Sequence, residues 1–422
     1  MITLKPDAKM SILMPHQNKA LSLALQQATP GQLELLKEGK DLKSIVSSLF
    51  QSKISNTKSD QVLLDILKNS SAFKQFGNFT QELKNVVTTL KAEPNLPPNL
   101  AVKLSKLESS LQSITTLNAP VLKEKVANSG IFMESKIASA IQTMPLIRET
   151  LQNLQHALAQ TPHSETKNIA QSLAEFLEHP VLTKAGEDMG SARVLIKSVQ
   201  TLTDAIERIL PKIDPQTPSE AKAVEEVRTT IKQLTPFTNP EKLLIQTQLE
   251  EHLSNDVKSQ LLKLGEEIKT LATPPSNDVQ TQIDKLITHI DYHQLLSHLD
   301  ASNTLYFPFS WDILEEGSLA FKKREEKKFY CEVHLQLKEY GKIDLMMALY
   351  EGNQLEIQAH TENSQFKDLI KEHLSTLRTL LTQAGINPRA IRVYDATESQ
   401  APSTTAYTPE DTDFESGFEV MA

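Results

Sequence analysis

The spacing of apolar residues changes from a helical to a strand-like period close to residue 300, and this change constrains the fold of the 422-residue chain most. Before it, apolar residues recur three and four positions apart, as in 243–268, which is typical of amphipathic helices. Prolines punctuate these stretches, and each is expected to end or kink a helix. Many apolar stripes are short and interrupted by Ser, Thr and Asn, so we expect a mostly α-helical amino-terminal region of marginal helices, partly disordered.

After this point the apolar residues alternate, which predicts strands with one buried face. Strict alternation runs through 329–338, resumes over 343–349 and returns in a shorter form at 355–359. Glycine-containing turns separate the three segments, as expected for antiparallel hairpins. We therefore predict a small antiparallel sheet in this part of the chain.

The helical period returns once, after the predicted strands. Apolar residues form one continuous helical face over 366–384, with Asn363 or Ser364 as the expected N-cap and Gly385 at the carboxy-terminal end. A short apolar segment at 389–394 then predicts a closing strand. The order of elements indicates a compact α+β domain of about 90 residues, with one amphipathic helix covering the sheet.

Aromatic residues and acidic residues mark the domain boundaries. Residues 1–300 hold only 8 of the 22 aromatic residues, and the rest of the chain holds the other 14, including Trp311. Aromatic side chains supply much of the burial that fixes a core, so we place a packed domain at 301–395 and a Pro-punctuated, partly flexible helical region before it. Beyond Arg392 there are seven acidic residues and no basic one, which predicts a disordered acidic tail at 396–422.

Composition excludes several functional classes. The formal net charge is −9, which argues against a nucleic-acid partner because phosphate contacts need clustered Lys and Arg. The single cysteine excludes an intrachain disulfide. We expect no Sec signal peptide, since the first residues lack an apolar run, and no membrane insertion, since no stretch approaches 18 apolar residues.

Two groups of residues have side chains that could form a chemical site. His289 and His293 lie four apart on a predicted helix, with His298 nearby, a spacing that can ligate zinc. Without an HExxH pattern or a placed carboxylate, we interpret them as part of a solvated helix face. Cys331 lies in the middle of a predicted strand with no neighbouring base, so we expect a buried core thiol and not a nucleophile.

A basic cluster, 322–328, contains five Lys and Arg residues interrupted by two glutamates. It could meet an acidic partner, but a solvated hairpin tip is the favoured interpretation. The sequence contains no phosphate-binding loop, dinucleotide fingerprint or nucleophile elbow. We therefore predict a non-enzymatic protein without metal or other cofactor.

The carboxy-terminal segments resemble a known family. Val333–Leu345 forms a strand, a glycine turn and a second strand, and Gln354–Ala359 adds a short third strand. Leu374–Ile386 is a Leu-rich helix with a Leu-Arg pair and a following glycine, and Ile391–Val393 closes the pattern. Together with the aromatic segment Phe307–Trp311, this arrangement resembles the carboxy-terminal domain of flagellar hook-length control proteins. The resemblance covers about a fifth of the chain.

The resemblance implies a molecular ruler that leaves the cytoplasm through the flagellar type III export apparatus. The long amino-terminal part would sense hook length through hook and hook-cap subunits, and 300 residues in one helix would span roughly 450 Å. The carboxy-terminal domain would contact the cytoplasmic domain of the export gate protein and switch export from hook to filament subunits. The positions that carry the family motif are Val333, Leu335, Leu337, Gly341, Ile343, Leu345, Leu374, Leu377, Arg378, Leu381 and Gly385.

Two other functions remain open from the residues alone. One is a cytoplasmic helical scaffold or adaptor whose α+β module binds another partner. The other is a needle-length regulator of a related type III secretion system. For the ruler we expect a monomer. Secretion into the medium separates the ruler from the scaffold, because only the ruler is exported.

Overall fold

The computed structural model of the chain has two compact units. One consists of residues 134–254, and the other joins the residues up to Met133 to those from Asn255 onward. The acidic tail predicted at 396–422 lies outside the described residues. The residues that the structure describes are 18–39, 58–73, 76–93, 96–111, 113–114, 118–271, 277–299, 303–306, 309–325 and 328–395.

Three helices in the first part of the discontinuous unit start at asparagine residues. Asn18, Asn78 and Asn118 each accept a backbone N–H of the first turn through the side-chain oxygen, which satisfies a donor that the helix leaves open. The helices described in this part are α1 (Lys19–Gln27), α2 (Pro30–Gly39), α3 (Lys58–Asn69), α4 (Phe79–Lys91), α5 (Pro98–Ser109) and α6 (Ala119–Ala127).

Residues 134–254 form a helical unit with a core of its own. Leu151, Leu154 and Leu195 are buried in this core, as expected where helices meet through i, i+3 and i+4 stripes. Its helices and 3₁₀ turns are α7 (Met133–Gln160), α8 (Ser164–Leu177), α9 (Val181–Lys184), α10 (Met189–Ile209), Leu210–Lys212, α11 (Pro218–Leu234), Pro240–Leu243 and α12 (Ile245–Leu253).

The chain then returns to the first unit through α13 (Val257–Lys269) and α14 (Asn277–Leu299). A buried ion pair joins the two helices, with 2.6 Å between Lys258 Nζ and Asp291 Oδ1. Asp291 Oδ2 also accepts the backbone N–H of Lys19 at 2.8 Å, so the same carboxylate holds the start of α1. A charge buried this deeply requires its partners, because removal of either one leaves an uncompensated ion in the core.

A six-stranded sheet with the order β1-β2-β3-β4-β5-β6 follows. Neighbouring strands are antiparallel except β5 and β6, which run parallel. A helical crossover joins this last pair, as a parallel connection requires. The elements are β1 (Asn303–Tyr306), β2 (Leu314–Glu325), β3 (Lys328–Leu337), β4 (Gly341–Tyr350), β5 (Gln354–Thr361), α15 (Ser364–Glu372), α16 (Leu374–Gln383) and β6 (Asn387–Asp395). The predicted fold class, a helical amino-terminal region followed by a small α+β domain, is confirmed.

The packing does not separate at residue 300, where the composition placed a boundary. One continuous apolar core contains Phe79 and Leu83 of α4, Leu286 of α14 and Leu335 of β3. Composition detects where aromatic residues are concentrated, whereas the core unites whatever apolar faces meet in three dimensions. The sheet and several helices of the region 1–300 therefore belong to one unit.

Candidate functional site: the carboxy-terminal sheet

The apolar face of the sheet contains the alternating apolar residues that the sequence predicted to be buried on one side. Val333 lies opposite Leu345, and Leu335 lies opposite Ile343. Val333, Leu335 and Ile343 are buried, and Leu345 is half-buried against the same core. Because side chains alternate across a strand, these residues share one face, and their role in partner contact stays a prediction.

Two glycines of the motif have a left-handed backbone. Gly341 has φ 72° at the turn between β3 and β4, opposite Leu337, which is almost fully buried. Gly385 has φ 79° just after α16, where Ile386 N–H bonds to Leu381 O at 3.0 Å. Only glycine adopts this conformation without steric cost, so each residue fixes the end of its element.

The predicted amphipathic helix is two helices, α15 and α16, interrupted at His373. Asn363 begins the first as its N-cap, with Oδ1 accepting the Phe366 N–H at 3.1 Å. The second packs on the sheet through three half-buried leucines, Leu374, Leu377 and Leu381, which contact a small core of Leu355, Ile357 and Ile391. The predicted covering of the sheet is thus observed, but over only one part of the apolar face.

Arg378 lies on the exposed side of α16. Its guanidinium donates a hydrogen bond to the carbonyl of Pro388 at 3.2 Å, which joins α16 to the start of β6. A second link is the ion pair between Lys367 of α15 and Asp395 at the end of β6. Both contacts hold the crossover on the edge strand. The Leu-Arg pair of the motif therefore has one residue facing the sheet and one fixing the following strand.

The opposite face of the sheet carries a charged cluster that the sequence did not reveal. His334 Nδ1 lies 2.7 Å from Asp344 Oδ1, and Lys342 Nζ lies 2.8 Å from the other oxygen of that carboxylate. Hydrogen bonds to Asp344 and then to Glu332 raise the pKa of His334 to about 9, against the effect of burial. His334 and Asp344 are register partners, each five residues from Glu339 in the turn, and this equal spacing is the signal in the sequence that pairs them.

Cys331 is half-buried in β3 against the apolar core. Burial, and then the charge of Glu332, raise the pKa of its thiol to about 12. The sulfur is therefore protonated at neutral pH. Because the thiolate and not the thiol is the strong nucleophile, Cys331 is not activated for nucleophilic attack. The basic cluster 322–328 lies at the β2–β3 hairpin, and most of its side chains lie outside the described residues.

The interpretation of His289 and His293 as a solvated face is wrong. Both are buried in α14, where His289 stacks on Phe76 at 4.5 Å and on His293 at 5.0 Å between ring centroids. Burial lowers the pKa of both, that of His293 to about 3, so both are neutral. Because α14 is surrounded by other elements of its unit, polar residues on it are buried together with apolar ones. The side chain of His298 lies outside the described residues.

Among the residues that the structure describes, no group of three or more His, Cys, Asp or Glu side chains is arranged to hold a metal ion. No helix in the same residues has the length and apolar character needed to cross a membrane.

Comparison with protein families gives one match. Residues 318–402 match the family model described as flagellar hook-length control protein FliK. The resemblance to the hook-length control family is confirmed over this segment. The matched segment begins within β2 and contains every motif residue named above. We call residues 318–402 the hook-length control domain. No curated protein and no solved structure matches the chain.

Proposed function

We propose that this protein is an exported hook-length ruler whose hook-length control domain switches flagellar export from hook to filament subunits. The observation that carries the proposal is the family match over 318–402. The matched family is a regulatory one, and a non-enzymatic role is part of this proposal.

The partners follow from this role. The hook-length control domain contacts the cytoplasmic domain of the export gate protein, and the amino-terminal part contacts hook and hook-cap subunits as a monomer during passage. The protein is first cytoplasmic and then secreted through the flagellar type III apparatus. The charged face of the sheet, with His334, Lys342 and Asp344, offers a surface for such contacts, whereas much of the apolar face is buried within its own unit.

The ruler function requires the front region to change shape. The longest described helix there, Met133–Gln160, has 28 residues and spans only about 42 Å at 1.5 Å per residue. The described front residues are a set of packed helices and not one rod. Measurement of length during export therefore uses the unfolded chain, in which each residue adds up to about 3.5 Å.

Deletion of residues 305–395 tests the proposal in the native bacterium. We expect overlong hooks without filaments, as seen by electron microscopy, because export never switches. Restoration of the full-length chain should return normal hooks and filaments. Normal filaments in the deletion strain would contradict the proposal.

A secretion assay separates the ruler from a cytoplasmic scaffold. In a strain arrested at hook assembly, we expect the full-length protein in the culture medium, detected by immunoblot. A cytoplasmic enzyme serves as the lysis control. Retention of the protein inside the cells would favour a scaffold.

A further inference from the structure

The apolar face of the sheet has a part that is buried by helices from outside the hook-length control domain. Six residues on β1 to β4 define it, and all are at most 7% exposed. All belong to the core that also contains α4 and α14. We call this set the hidden patch: Leu305, Leu319, Val333, Leu335, Leu337 and Ile343.

Helices α4 and α14, named here the cover helices, bury the patch. Apolar residues at helical spacing on both helices lie in the same core. Phe79 of α4 stacks on Tyr306 of β1 with 3.8 Å between ring centroids, and His289 of α14 lies 5.7 Å from the same ring. An ion pair between Lys285 and Glu82, at 2.9 Å, links the two helices to each other.

Few polar bonds hold the cover helices to the segment at the beginning of the sheet. Asn78 Nδ2 donates to Leu314 O at 2.8 Å, and Thr80 Oγ1 donates to Phe309 O at 3.1 Å. Ser297 of α14 donates to the carbonyl of Thr304 in β1 at 2.6 Å and accepts the N–H of the same residue at 2.7 Å. Apolar contacts accompany these bonds. Such a contact is strong while both surfaces are folded and is lost when one of them unfolds.

The positions of the cover helices and of the hook-length control domain along the chain determine which of them unfolds first during export. The cover helices end before residue 300, whereas the family match begins at 318, so cover and domain are separate in sequence. A chain that enters a narrow channel with its amino terminus first unfolds the cover helices before the domain. Five of the six patch residues lie within the matched segment and stay with the domain.

We propose that the cover helices keep the hidden patch closed in the cytoplasm, and that export of the front region uncovers it for an amphipathic helix of the export gate protein. This inference rests on the proposed function. The occupant is helical because the patch is formed against helices, and it is apolar because the six residues are. Uncovering thus couples the switch to passage of the front region.

A binding experiment with the full-length chain tests the coupling. Leu286→Ala removes a buried side chain of a cover helix, and the milder Ile287→Val removes one methyl group from the same helix. Both shift the equilibrium toward the open state, so we expect L286A to bind the purified cytoplasmic domain of the export gate protein at least about tenfold more tightly than the unaltered chain. The affinity of I287V for the gate domain should lie between those of L286A and the unaltered chain.

Leu151→Ala is the matched control, because Leu151 is equally buried but belongs to the other unit. L151A should bind the gate domain with the affinity of the unaltered chain. Equal affinity of L286A and the unaltered chain would overturn the inference. An increase in L151A as large as that in L286A would overturn it as well, because general loosening would then explain both.

Hook length in the native bacterium distinguishes this inference from the proposed function. Premature uncovering switches export early, so cells with L286A should have hooks shorter than normal, whereas simple loss of the protein lengthens them. If the 305–395 deletion gives overlong hooks but L286A hooks are normal or long, the inference fails alone. If the deletion strain makes normal filaments, the proposed function fails.

Discussion

The charge state of His334 is determined by the residues beside it on the sheet. Its ring is held between Asp344 across the β3–β4 pair and Glu332 on its own strand, so the charged form is favoured. A histidine with a raised pKa stabilises the fold fully below its unfolded value near 6.5, and this contribution disappears as pH rises through about 9.

We predict that replacement of this histidine removes a pH dependence of stability at the alkaline side. In His334→Gln, the free energy of unfolding should change less between pH 6.5 and pH 9 than in the unaltered chain, because no proton is lost. Urea titrations at a series of pH values, followed by circular dichroism, provide the measurement. An equal pH dependence in both proteins would show that the ion pair does not contribute.

The buried histidines of α14 make the stability depend on pH in the opposite direction. The folded protein keeps His293 neutral, while the unfolded chain binds a proton near pH 6.5, so stability is lost as pH falls from 6.5 toward about 3. His293 Nδ1 is buried and has no hydrogen-bond partner among the described residues. An apolar side chain of similar size therefore removes a cost and no bond.

We expect His293→Leu to unfold at the same or a higher urea concentration at pH 7, and to lose less stability than the unaltered chain between pH 6.5 and pH 4. His289, which lies on the same helix and whose pKa is also lowered by burial, remains in the variant, so some acid sensitivity persists. A steeper acid dependence in the variant would contradict this account.

At the scale of elements, the β3–β4 hairpin depends on the turn at Gly341. No atom lies within 4 Å of the place where a Cβ would stand, so the positive φ is the only obstacle to another residue. The strain of a left-handed backbone therefore determines the effect of substitution.

Gly341→Ala should lower the free energy of unfolding by about 1 kcal/mol, whereas Gly341→Asn should cost less because asparagine tolerates this conformation. Chemical denaturation of both variants at one pH provides the comparison. If the two variants were equally destabilised, crowding and not backbone strain would be responsible.

The crossover between β5 and β6 is an element that the sequence predicts only in part. Asn363 and Gly385 mark its two ends as predicted. The interruption at His373 has no signal in the sequence, since the apolar period continues through it. A period of 3.6 residues reports which side of a helix is apolar and does not report a change of axis.

At the scale of the whole molecule, the helical unit 134–254 is inserted into a unit that is formed from both sides of it. Each has its own apolar core among the described residues. Separate cores of this kind can unfold in separate transitions.

We predict two unfolding transitions in urea. Leu151→Ala should shift one of them to lower urea, and Leu286→Ala should shift the other, each by an amount that corresponds to roughly 2–5 kcal/mol. Hydrogen exchange followed by mass spectrometry assigns each transition to its residues. A single transition moved equally by both variants would show that the two cores unfold together.

By itself the sequence determined the local structure of this protein: where helices give way to strands, which strand residues face the core, and the family that 318–402 resembles. These features depend on period, capping and turn residues, which act over a few positions. The tertiary structure alone decided that helices before residue 300 share a core with the sheet, that His289 and His293 are buried, and that His334 pairs with Asp344. Burial and pairing between distant segments depend on which surfaces meet, and no local pattern encodes that choice.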